Sequence, residues 1–349
     1  MYFTCMKSIC CNNYAHILRM LSIFILLMPL SYISNPAFLP NYSFSTSGDH
    51  TSTIQDLPAN KTMTFGYFRT LAPQTDSPNS TQIFQPEGVI TDSQDNVYVN
   101  DIESNEIKKY DKNGQFISTW KNLVKDNLSL NHPHSSEIDK QGNFYLTDQI
   151  NQRVMVLSQN GTIINTWGNE PNAEALFLHP HGIAADSKGN LFVSDRDLDT
   201  IQKFTNNGTL ITSWGDKGAE PGQFDMPWDV AIDNQDNVFV PDYMNSRIQV
   251  FSNNGTFITQ WGSEGLNEGE FNHPAVIAFD KLQNLYVSDS DNHRIQIFSK
   301  NGTFLSEFGA EGTGPGQFIK PESIAIDLAG RVYVADTTNN NVQLFVPNN

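Results

Sequence analysis

Apolar and polar residues alternate in short runs along most of this chain, and the runs recur at a fixed interval. In one unit they are WDVAID (228–233), VFVPD (238–242), RIQVF (247–251) and TFITQW (256–261). Alternation over five or six residues rich in Val, Ile and Phe predicts half-buried β-strands. Turn signals separate the runs: DNQDN after the first, and Asn254-Gly255 before the last. Asn-Gly predicts a type I′ hairpin turn, which needs positive φ at both central residues. No helical period of useful length interrupts the pattern.

The interval is 47 residues. Pro86, Pro133, Pro180, Pro227, Pro274 and Pro321 share it, as do Asp92, Asp139, Asp186, Asp233, Asp280 and Asp327. A second acidic series is Asp101, Asp148, Asp195, Asp242, Asp289 and Asp336, and an aromatic one is Trp120, Trp167, Trp214, Trp261 and Phe308. Six four-stranded antiparallel units predict an all-β fold, a six-bladed β-propeller. The sixth unit offers only three strands, so a strand near 61–66 is expected to complete it. In that alignment Thr64-Phe65-Gly66 falls on Thr166-Trp167-Gly168 and Glu307-Phe308-Gly309. Such closure leaves no exposed edge between the first and last units.

Six internal copies separate architecture from candidate chemistry. A residue found in every unit solves a problem every unit has. The prolines should start the inner strands, where a missing N–H is tolerated. The aspartates should accept backbone N–H bonds in turns. Arg153, Arg247 and Arg294 should pair with neighbouring carboxylates. The Trp series, with Phe177, Phe224, Phe271 and Phe318, should pack between blades. His132, His179 and His273 precede prolines and are assigned to connecting loops rather than to the channel, and His293 to a polar loop position. The position after each series proline breaks the symmetry: Glu87, His134, His181, Trp228, Ala275 and Glu322. It should open the innermost strand at the mouth of the central channel, with Glu322, Glu87, His134 and His181 in one arc. Two carboxylates and two imidazoles there could hold a divalent metal, zinc or calcium, could act as acid and base, or could line a water-filled polar funnel. Arg196 and Tyr243, in the loops after the second strands, could reach a ligand over the channel.

Composition narrows the partners. The 349 residues carry 38 acidic and 21 basic side chains, a formal charge of -17. That balance argues against nucleic acid. Cysteines occur only at Cys5, Cys10 and Cys11, which excludes zinc fingers, RING domains, a cysteine nucleophile and disulfides from the repeat region. Lys7, His16 and Arg19 precede an apolar run from Met20 to Ile33 broken by Pro29. Residues 1–37 therefore read as a signal peptide or an uncleaved N-terminal membrane anchor, and 38–60, rich in Ser, Thr, Asn and Pro, as a linker. The chain is expected to be exported, secreted or anchored outside the cytoplasm, with residues 61–349 forming the propeller.

IAIDLAGRVYVADTTNNNVQLF (324–345) and IAFDKLQNLYVSDSDNHRIQIF (277–298) resemble NHL repeats, with Asn292-His293-Arg294 at the Asn-His-Leu position. The resemblance runs over about residues 61 to 349. It implies a ligand- or protein-binding module, similar to extracellular sensor propellers of bacterial receptor kinases. The RNA-binding and ubiquitin-ligase roles of animal NHL proteins do not suit an acidic, exported chain without RING cysteines. PHGIAADSKGNLFVSDR (180–196) is similar to repeats of peptidylglycine amidating lyases. That similarity implies zinc on His134 and His181, completed by Glu87 or Glu322, with Arg196 and Tyr243 assisting a lyase step. The lyases draw three histidines from separated blades, whereas here the two lie in adjacent ones. The expected function is ligand or protein binding through the channel-mouth face, using Glu87, His134, His181, Trp228 and Glu322. A metal-dependent lyase or hydrolase is the alternative.

Overall fold

The computed structural model describes residues 63–71, 82–121, 129–168 and 177–348. The expectations for residues 1–37 and 38–60 lie outside them. Among the described residues no helix is long and apolar enough to cross a membrane.

Six four-stranded antiparallel sheets form, one per 47-residue unit, as the repeat predicts. Blade 3 shows the plan. Its strands are Pro180–Ala185, Leu191–Asp195, Thr200–Phe204 and Leu210–Trp214, each hydrogen-bonded to the next. Five inner strands begin at their series proline. Blade 4 differs: its inner strand shrinks to Ala231–Ile232, with Pro227 joined to Asp242 only by a bridge. Blade 4 alone has a proline, Pro241, at this point of its second strand, and proline has no N–H to give the ladder; blade 6, with Ala335 there, forms a full inner strand from Pro321.

The sixth sheet joins Pro321–Ile326, Val332–Asp336 and Asn341–Pro347 to Phe65–Leu71, which closes the ring. Closure by an N-terminal strand is as expected, but its register is not. Leu71 pairs with Val342 just as Trp167 pairs with Val154, so Leu71 rather than Phe65 holds the tryptophan position. The packing explains this choice. Leu71 is 1% exposed and packs with Tyr110 of blade 1, filling the slot that the tryptophans fill elsewhere.

The turns between third and fourth strands also depart from expectation. Gly255 donates its N–H to Ser252 O, Ser252 to Thr256 O, and Gly255 but not Asn254 has positive φ, at 85°. This is a three-residue loop, a type I turn followed by a left-handed glycine, instead of type I′. Asn-Gly suits both, so loop length decided. The glycine has a second duty: a Cβ on Gly255 would meet the Trp214 ring at 2.7 Å, and one on Gly208 the Trp167 ring at 2.6 Å. Each turn thus lies on the tryptophan of the preceding blade.

The repeated aspartates behave as read. Asp186 Oδ1 accepts the N–H groups of Lys188 and Asn190, and the same turn recurs in every blade. Asp148, Asp242 and Asp289 each take an Arg guanidinium, from Arg153, Arg247 and Arg294.

Candidate functional site

The mouth is built where each series proline meets the second-series aspartate, as in Pro133 with Asp148 and Pro180 with Asp195. Just beyond it the strand register slips, between Pro133 and Ser136 and between Pro180 and Ile183. The hydroxyls of Thr147 and Ser194 accept the N–H groups of Ser135 and Gly182 that this bulge leaves out of the ladder. A bulge re-aims side chains, and here the affected residues are His134 and His181. Each is then held from the preceding blade: Asn100 Nδ2 donates to His134 O at 2.8 Å and Thr147 Oγ1 to His181 O at 2.7 Å. Ser194 Oγ does the same for Trp228 O at 3.3 Å.

A cavity of about 370 Å³ occupies the mouth. Of the sequence candidates, Glu87, His181, Arg196, Trp228 and Glu322 line it, together with His132, Gln149, Ile150, His179 and Lys320. His134 and Tyr243 stand one layer behind. His134 Nε2 lies 3.0 Å from Glu87 Oε2, and the His134 ring packs on that of His181 with centroids 3.4 Å apart. His181 packs on Trp228 at 4.3 Å, Trp228 on Tyr243 at 4.2 Å, and Tyr243 on His273 at 4.5 Å. Five rings from blades 2 to 5 thus form one continuous row of contacts, tilted by 44° and 55° at His134–His181 and His181–Trp228 and stacked from Trp228 to His273. Arg196 lies over the Trp228 ring at 5.2 Å. Across the mouth, Lys320 Nζ meets Glu322 Oε1 at 2.7 Å. Ala275 is wholly buried and contributes packing alone.

His132, His179 and His273 do lie in the connecting loops, but these loops are not away from the channel: His132 and His179 line the cavity and His273 stacks on Tyr243. The cause is the architectural aspartate. Asp195 accepts the N–H groups of Leu178 and His179, and Asp289 that of Asn272, which folds each pre-proline loop over the mouth. Sequence reasoning assigned those aspartates to turns without drawing this consequence. His293 keeps its loop role: its ring Nδ1 donates to Ile319 O at 2.8 Å.

Environment spreads the proton affinities of the cluster. Burial, reinforced by His134 and Arg196, pushes His181 well below the usual imidazole range, so it is neutral near pH 7. Burial likewise lowers His132. Burial and the charge of Glu87 raise Glu322 against the pull of Lys320. At Glu87 burial acts in the same direction, but the contact with His134 outweighs it and holds the carboxyl low. Burial pushes Tyr243 up to about 12.

The zinc centre implied by the amidating-lyase resemblance does not fit this arrangement. His134 and His181 meet ring to ring, and His181 Nδ1 is engaged with Trp228 O at 2.6 Å. Among the described residues no group of three or more His, Cys, Asp or Glu is placed to share a metal ion.

These features define a six-bladed β-propeller with one asymmetric polar mouth. A family model described as an NHL repeat matches residues 224–251, and one described as a 6-bladed beta-propeller matches residues 282–345. No curated protein matches the sequence significantly. Solved structures share the fold. A streptogramin B lyase is 15% identical with a TM-score of 0.58, over 82% of this chain and 98% of that one. A gluconolactonase from Xanthomonas campestris is 12% identical with a TM-score of 0.59, over 81% and 98%. An auxiliary nutrient binding protein from Bacteroides ovatus is 12% identical with a TM-score of 0.61, over 82% and 78%. At such identities the likeness extends to the fold alone.

Proposed function

We propose that this chain is an exported binding propeller that takes a ligand at the channel mouth. The observation that carries the reading is the gathering of symmetry-breaking residues in one cavity of about 370 Å³. That volume lies in the range of small-molecule sites. Glu87, Glu322, Lys320 and Arg196 offer both signs of charge, and His132 and His181 offer neutral imidazoles. The row of rings and the backbone clamps from Asn100 and Thr147 hold much of this arrangement before any ligand arrives, which lowers the entropy cost of binding. Among proteins of this fold, one is described as nutrient binding and others as a lyase and a lactonase.

The test is a thermal-shift screen of small acids, amines, sugars and short peptides against wild-type protein and Arg196→Ala. At least one compound class should raise the wild-type Tm and lose its effect in the variant. A panel whose effects are all unchanged by Arg196→Ala sinks the site. Zinc does not fit the rings as placed, so metal analysis of untagged protein should find no stoichiometric zinc that depends on His134 and His181; zinc lost when both are changed to Ala would overturn that placement. Export is checked by sequencing the N-terminus of protein recovered outside the cytoplasm.

A further inference from the structure

At the blade ends away from the mouth, the repeat supplies its own template for a second site. Between blades 3 and 4, Ser187 donates its N–H to Asp236 Oδ1 at 2.8 Å and its hydroxyl to Asp236 Oδ2 at 2.7 Å. The equivalent bond runs from Asn234 N–H to Gln283 Oε1 between blades 4 and 5, and from Leu328 N–H to Asp95 Oδ1 between blades 6 and 1. Between blades 1 and 2 the donor is again a serine, Ser93, but the acceptor position is Gly142. Neither the Ser93 N–H nor its hydroxyl has a protein partner among the described residues. A cavity of about 360 Å³ opens there, and its lining includes Ser93, Gly142, Lys109, Lys140 and Gln159. Glycines stand at the acceptor position of two other seams, Gly189 and Gly330. There the facing residues are Lys140 and Lys281, and Lys281 spans its seam to Leu328 O. The two-point serine donor without its acceptor is thus peculiar to the first seam.

We propose that this inter-blade cavity binds the carboxylate of a small organic acid. The carboxylate would take the place that the Asp236 side chain holds in blade 4, accepting from Ser93 N and Oγ, with Lys109 and Lys140 supplying positive charge. Charge-assisted two-point bonding of this kind is strong and directional. Asp92 and Asp139 also line the cavity, but they do not forbid an anion. Asp92 is already engaged by Gln94, Asn96 and Tyr98, and Lys109 Nζ lies 3.7 Å from it. The template seam has the same surroundings: Asp186 is engaged by Lys188 and Asn190, and Lys203 Nζ lies 3.4 Å from it. A further carboxylate is accommodated there in the folded chain.

The test is a titration of the full chain with sodium succinate, followed by ¹H–¹⁵N correlation spectra, against sodium chloride of equal ionic strength. The Ser93 amide should shift saturably with succinate alone. Gly142→Asp should supply the carboxylate from within, raise the Tm and abolish the response. Aspartate tolerates this backbone: Asp236 has φ 64° where Gly142 has φ 80°, and a new Cβ would first meet the movable end of Gln159. Ser93→Ala, at an exposed position, should weaken the response with an unchanged Tm, and it serves if Gly142→Asp does not fold. A wild-type amide that does not saturate or that moves equally in chloride overturns the proposal. So does a response that survives in both variants.

Discussion

Trp167 closes the seam between blades 2 and 3. It packs on Phe204 with ring centroids 6.2 Å apart and is 8% exposed. Trp167→Ala should cost about 3–5 kcal/mol in urea unfolding. Trp214, at the equivalent position, is only partly buried, so Trp214→Ala should cost less; the reverse order would mean that the seams are not packed as described. Glu137 is a residue-scale exception of another kind. The equivalent residues, Ile90, Ala184, Ala231, Ala278 and Ala325, pack in clusters between blades, yet here a carboxyl group stands, partly buried, on the inner strand. Burial, with Asp139 and Asp229 nearby, raises it to about 8, and burial raises Asp229 to about 7. A carboxyl whose affinity for its proton is higher folded than unfolded contributes stability that is complete below the ordinary carboxyl range. That stability is lost as pH climbs through the folded value. The melting temperature should therefore fall between about pH 5 and 9, and Glu137→Gln should flatten that fall. An unchanged pH profile in the variant would rule out this origin.

Strands carry the next level of control, and the closing strand Phe65–Leu71 is the most exposed to test. It shields the edge of Asn341–Pro347 and places Leu71 against Tyr110 of blade 1. Deleting 65–71 uncovers that edge and one inter-blade slot. The expected result is loss of cooperative unfolding or the appearance of oligomers in light scattering. A monomer with an unaltered melt would refute closure. Each fourth strand also has a bulge, and the residue skipped by the ladder is apolar and exposed: Phe68, Ile117, Ile164, Ile211, Ile258 and Leu305, from 36% to 53%. A bulge on an edge strand twists it away from pairing with another chain, so these bulges guard a rim that would otherwise invite strand addition.

For the molecule as a whole, the acid excess sets a background. A formal charge of -17 opposes compaction by self-repulsion. Raising sodium chloride from about 10 to 150 mM, which shortens the Debye length from about 30 to 8 Å, should raise the Tm. A Tm that falls with salt would show that local ion pairs such as Arg247 with Asp242 outweigh the net repulsion. Legibility at this scale was high where a signal repeats. Strand number, blade number, the turn aspartates and five of the six inner-strand prolines stand as the sequence predicts. The arc of Glu322, Glu87, His134 and His181 was legible too, because asymmetry in a repeat needs no external alignment to be seen. Lys320 and the pre-proline histidines were missed at the mouth, because their placement depends on carboxylate-to-backbone bonds made across a loop.

The sequence by itself determined which residues form strands, how many blades there are and where symmetry breaks, since these follow from local alternation and a count along the chain. Only the tertiary structure decided what meets across a gap. Leu71 took the tryptophan slot because it fits against Tyr110, five rings from four blades came into contact in one row, and Ser93 was left facing a glycine. Contacts between residues far apart in sequence depend on the curvature that brings successive blades together, and no residue encodes that curvature alone.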